Sequence, residues 1–146
     1  MKTRILYISS LFLSLLIFSS CGSEAPADHL ADLESYSSNI EKVAEQSESV
    51  SSAEEAFTTL RNLNQEIKNV RGTVLAIDAE YKDLSKSEFE SVKQTPEFKQ
   101  RMQRFEQIME KMDASLQQVK SNVDPYKSDK QVSQMYDKLE SILISR

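Results

Sequence analysis

The sequence predicts an all-α fold: an elongated antiparallel helical bundle, coiled-coil-like in its seams, with about four main helices. Two observations lead there. Strand-rich folds place glycine and proline in their turns, yet this chain of 146 residues has two glycines, Gly22 and Gly72, and three prolines, Pro26, Pro96 and Pro125. Apolar residues make up 39 % of the chain, and beyond the first twenty positions they recur at alternating steps of three and four, the spacing of one helix face. Twelve of them fall within those first twenty positions, so the rest supply too little for a thick α/β core.

Element by element, the chain opens with Lys2 and Arg4, followed by an apolar run from Ile5 to Phe18 broken only by Ser9, Ser10 and Ser14. A helix needs ~20 apolar residues to span a bilayer, so this shorter run reads as a cleavable export segment over residues 1–20. Phe18-Ser19-Ser20-Cys21-Gly22 places small residues before the chain's only cysteine. That arrangement resembles the lipobox of bacterial lipoproteins, and the resemblance covers residues 1–21. It implies cleavage before Cys21, a diacylglycerol on its thiol and an acyl chain such as palmitate on its new amino group. Gly22, rather than Asp, after the cysteine implies the periplasmic face of the outer membrane in a host that has one. With no second cysteine, Cys21 forms no internal disulfide. Residues 21–28 then read as lipidated cysteine and short tether, and residues 29–146 as the helical domain.

Leu30, Leu33, Tyr36, Ile40, Val43 and Val50, with Ser47 in the remaining slot, predict a first helix over 29–50. Ser52 and Glu55 have the spacing of a capping box, which starts a second helix at Ala53. Its seam is the most regular: Ala53, Ala56, Leu60, Leu63, Ile67, Val70, Val74, Ile77, Tyr81 and Leu84 predict a helix over 53–84. Gly72 lies off that seam and is expected to mark a bend or a close contact. Ser85 to Gln94 suits a short connecting helix with Phe89 and Val92 turned inward. Thr95-Pro96-Glu97 is a helix start, with a cap, a first-turn proline and an acid facing the dipole. The helix over 96–123 carries Phe98, Met102, Phe105, Met109, Met112, Leu116, Val119 and Val123 and stops before Pro125. Ser128 is the expected cap of a last helix, 128–144, with Val132, Tyr136, Leu139 and Leu143 inward and Met135 and Ile142 widening the stripe. Short connectors favour antiparallel neighbours.

Charge is unevenly placed. Residues 22–59 hold nine acids and one base, Lys42, whereas residues 60–146 hold fourteen acids and fifteen bases. Such a face is what a solvated helix carries, and it would also be held off anionic headgroups or offered to a basic partner. Asp78/Lys82 and Glu97/Arg101 have ion-pair spacing on a helix. Nothing favours nucleic acid as a partner.

The expectation is of no enzyme, no cofactor and no metal site. Catalysis needs titratable groups converging in a pocket, and the single histidine, His29, sits beside the tether as a solvated residue at a helix start. No phosphate-cradling glycine motif occurs, and Glu-x-x-His di-iron pairs need more than one histidine. Met102, Met109 and Met112 with Phe98 and Phe105 suit core filling or, in part, an adaptable groove for a partner helix or peptide, flanked by Lys99, Arg101 and Arg104. The sequence therefore points to a membrane-anchored, non-catalytic binding or adaptor module whose partner is an envelope protein. In size and anchoring it resembles the small helical pilotin lipoproteins of secretion systems. A self-associating coiled-coil spacer and an immunity or exclusion lipoprotein are the alternatives.

Overall fold

The computed structural model describes residues 28–144. The export segment 1–20, Cys21 and the tether as far as Ala27 lie outside the described residues. The fold is all-helical, with α1 (His29–Ser47), α2 (Ala53–Ala79), α3 (Lys86–Lys93), α4 (Pro96–Val123), a single 3-10 turn (Asp124–Tyr126) and α5 (Lys130–Ile144). No strand occurs among the described residues, and no helix among them is long and apolar enough to cross a membrane.

Local chemistry sets the boundaries and moves several from their expected places. Asp28, expected in the tether, is the N-cap of α1, its carboxylate accepting the Ala31 amide at 3.2 Å. α1 stops at Ser47 instead of reaching Val50, because the serines after it bond backward: Ser47 Oγ donates to the Ala44 carbonyl and Ser49 Oγ to that of Gln46. Ser52 caps α2 through the Glu55 amide, but the Glu55 carboxylate reaches back to Ser51 N and Oγ rather than to Ser52. α2 ends at Ala79, five residues short of Leu84, as its hydrogen bonds tighten to the three-residue pattern at Glu80 and Tyr81. Tyr81 still faces the core from that turn, which is why the seam continues past the helix. The reciprocal capping box forms at Ser85 and Glu88 instead, opening α3. Thr95 and Pro96 start α4 where the sequence places it. α5 begins at Lys130 because Asp129, not Ser128, accepts the amides of Gln131 and Val132 at 2.8 and 3.1 Å.

The predicted seams become one core. From Ala56 to Ile77 every seam position of α2 is buried, as are Leu33, Ile40 and Val43 of α1, Leu116, Val119 and Val123 of α4, and Val132, Tyr136 and Leu139 of α5. Gly72 marks no close contact: α2 continues through it without a break, and a Cβ there would meet nothing within 4 Å. Among the described residues Leu75 is the large apolar side chain left in solvent, 56 % exposed.

The long helices make two antiparallel pairs, a packed α1/α2 hairpin and an α4/α5 pair that meets through side chains at an edge. In the first, His29 of α1 meets Glu80 just past α2, and Asn39 meets Glu66. α4 and α5 form the second, tied by the Lys120–Glu140 ion pair and by Lys127 at 3.9 Å over the Tyr136 ring. α1 packs against both α2 and α4, and α2 packs against α5, with a smaller contact between α2 and α4. Along the α1/α4 contact Glu34 pairs with Arg104 and Ser47 with Asn122, so numbers rise together and the two helices run parallel. α2 and α5 are then parallel as well, pinned where Asn64 Nδ2 donates to the Met135 carbonyl at 3.2 Å. At 1.5 Å per residue α4 is about 42 Å long and α5 about 22 Å, so α5 accompanies only part of the bundle.

Candidate functional site

The parallel α1/α4 seam carries a ladder of polar contacts. On α1, Glu34, Glu41 and Glu48 recur every seven residues, and on α4 Arg104, Lys111 and Gln118 recur likewise, each facing its counterpart at the same sequence offset. A seven-residue repeat keeps one row on one side of an apolar seam, the place of interhelical charge pairs in coiled coils. The first rung is a fork: Arg104 Nε and Nη2 donate to the two oxygens of Glu34 at 2.6 and 2.7 Å. Those bonds hold the Glu34 carboxyl below the ordinary carboxylate range and raise the guanidinium in turn. The third rung is neutral on one side, with Gln118 Nε2 donating to Glu48 Oε1 at 2.7 Å. At the middle rung Glu41 and Lys111 make no ion pair among the described residues.

Around that middle rung the two helices part into a shallow groove of about 290 Å³. The Glu34–Arg104 fork closes one end, Glu41 and Lys111 stand at the other, and Ser37, Ser38, Gln107 and Ile108 lie between. Ser37 is 4 % exposed, and its hydroxyl has no hydrogen-bond partner among the described residues. A buried hydroxyl left unpaired costs about 1–3 kcal/mol, so its position in a groove lined by charges is the least expected feature of the bundle.

A second polar cluster ties the end of the bundle where α1 begins. Glu80 sits between His29 and Arg101, with His29 Nε2 at 3.3 Å from Oε1 and Arg101 Nη2 at 3.7 Å from Oε2, while Arg101 Nη1 donates to the Tyr81 hydroxyl at 3.2 Å. Burial pushes the Tyr81 phenol up, above its ordinary range. His29 is therefore not the solvated residue the sequence suggests: its side chain is 22 % exposed and braces α1 against α2. Arg101 binds across the fold instead of pairing with Glu97, and Asp78 and Lys82 likewise form no pair among the described residues. Each expected i,i+4 bond is worth only ~0.2–0.5 kcal/mol on a helix surface, little enough for a tertiary partner to win.

The methionine and phenylalanine row fills the core, the first of the two uses its spacing suggests. Phe105 and Met112 are buried, while Phe98, Met102 and Met109 are partly buried against the core. Phe98 also meets the edge of Phe89 from α3 at 6.3 Å between centroids. Among the described residues no group of three or more His, Cys, Asp and Glu side chains is arranged to hold a metal. Cys21, the one site residue named from the sequence, lies outside the described residues. The groove went unforeseen although its signal was present, in two seven-residue repeats of opposite charge on separate helices. No protein family matches this chain, and no curated protein or solved structure matches it either.

Proposed function

We propose that this chain is a lipoprotein of the bacterial cell envelope, anchored through Cys21 and carrying a non-catalytic helical module that binds an envelope protein as an adaptor or assembly factor. The observation that carries this reading is the Phe18-Ser19-Ser20-Cys21-Gly22 segment at the end of an apolar export run. Two or three acyl chains, at ~0.8 kcal/mol for each buried methylene, would make the anchorage effectively permanent. The helical domain starts at Asp28, so the tether spans at most ~20–25 Å and keeps the bundle near the bilayer. The His29–Glu80 contact puts the start of the helical domain, where such a tether would join it, at the end of the bundle bearing α3. With Gly22 after the cysteine, the outer membrane's periplasmic face is the destination in a two-membrane host. The adaptor reading is favoured over a self-associating spacer because the regular α2 seam, the best candidate for a homotypic coiled coil, packs inside the monomer.

The test is replacement of Cys21 by Ser in a bacterial host, followed by palmitate labelling and detergent-phase partitioning. The variant is expected to lose label and to accumulate as precursor or leave the membrane. A mature, labelled band still in the detergent phase would overturn anchoring through this residue. Crosslinking in intact cells tests the adaptor role: a specific envelope protein captured in stoichiometric yield supports it, and capture of the chain by itself alone supports the spacer.

A further inference from the structure

Two of the three rungs across the α1/α4 seam are closed, and the middle one is open. Glu41 and Lys111 face the same groove with no ion pair between them among the described residues, and Ser37 lies on its wall. The chemistry of the lining narrows what can settle there. A simple anion meets Glu41 and Glu34, and a simple cation meets Lys111 and Arg104, so neither gains net attraction. A sugar ring or base would find no aromatic side chain to stack on, and a fatty chain would find only Ile108. A small molecule bearing both charges meets no such conflict.

We propose that this groove binds a zwitterion with a free ammonium and a free carboxylate, of the size of an α-amino acid or dipeptide. The ammonium lies against the Glu41 carboxylate and the ligand carboxylate against the Lys111 ammonium, each forming a charge-assisted hydrogen bond. Arg104 stays engaged by Glu34 and fixes the lower wall. The ligand closes the middle rung as Arg104 and Gln118 close the outer two.

The experiment is a titration of the full-length chain in detergent micelles, followed by amide chemical shifts. Glycine and glycylglycine are the probes, with acetate, methylammonium and N-acetylglycine amide as controls of the same size. Expected are saturable shifts confined to residues 34–41 and 104–111 with the two zwitterions, and none with the controls. Tighter binding of glycylglycine assigns the groove to peptides, and tighter binding of glycine assigns it to free amino acids. Lys111→Ala and Glu41→Gln each remove one charge-assisted bond and should weaken binding about tenfold. Neither residue forms an ion pair among the described residues, so both variants should melt close to the parent chain. Shifts that fail to saturate, equal shifts with acetate, or unchanged affinity in both variants would overturn the proposal.

Discussion

Replacing Gly72 by Ala should stabilise the protein, and the size of the gain follows from the site. Gly72 lies within α2, seven residues before its end, with its surface exposed and no atom within 4 Å of where a Cβ would stand. The substitution therefore introduces no clash and leaves only the backbone effect, about 0.5–1 kcal/mol in favour of alanine. For a cooperative domain of roughly 120 residues the unfolding entropy is about 0.25 kcal/mol per degree, so Tm should rise by about 2–4 °C. Thermal melts followed by circular dichroism, together with urea midpoints, read this directly, and the urea slope should not change because the same surface is exposed on unfolding. An unchanged or lowered Tm would refute the reasoning, since it would mean that Gly72 serves a contact or a bend that an exposed, unobstructed helical position does not provide.

Leu63→Ala should cost about 2.5–5 kcal/mol, because the side chain is fully buried in the α2 seam, and Leu75→Ala should stay within about 0.5 kcal/mol; the two urea midpoints give the contrast. Glu34 titrates lower folded than unfolded, so its fork with Arg104 supports the fold above the unfolded carboxylate pKa and loses that support as pH falls through the folded value. Glu34→Gln should thus flatten the fall of Tm below about pH 4.5, by a small amount for a pair half in solvent. Tyr81 titrates higher folded than unfolded, so its support is complete below the unfolded phenol pKa and declines as pH rises beyond it. Tyr81→Phe should remove up to about 1.4 kcal/mol per pH unit of alkaline destabilisation above about pH 10, read from urea midpoints at pH 9 and 11.

The parts of the fold that depend on local periodicity are legible in the sequence itself. α4 occupies the predicted span, and its seam positions from Leu116 to Val123 are buried, because helical spacing, a capping threonine and a first-turn proline all act within a few residues. The ends of α1 and α2 fall short of the spans their seams predict. A seam marks which residues face inward, and Val50 and Tyr81 do so from turns as well as from helices. The polar sites are less legible, since each joins residues far apart in the chain. Arg101 is within reach of Glu97 along its own helix, yet it binds Glu80 and Tyr81, a choice set by how the hairpins dock. The α1/α4 groove needs one further step, the recognition that two seven-residue repeats could face each other in parallel.

That parallel docking also gives the charge split of the sequence a direction in space. α1 starts at the tether end and climbs about 28 Å to its hairpin with α2. Glu45, Glu48, Glu54 and Glu55 cluster at that turn with no basic residue in the segment between Glu45 and Thr59. The tether end instead collects Arg101, Arg104 and His29 around Glu80 and Glu34, where the charges of both signs are spent on each other. The far end is not left with that charge unbalanced, because Tyr126 donates to the Val50 carbonyl at 3.2 Å and so brings the segment with Lys120, Lys127 and Lys130 beside the same turn. Acids that stand alone along the chain therefore sit near bases from the other end of it, and the direction in space is set by which ends the parallel helices bring together.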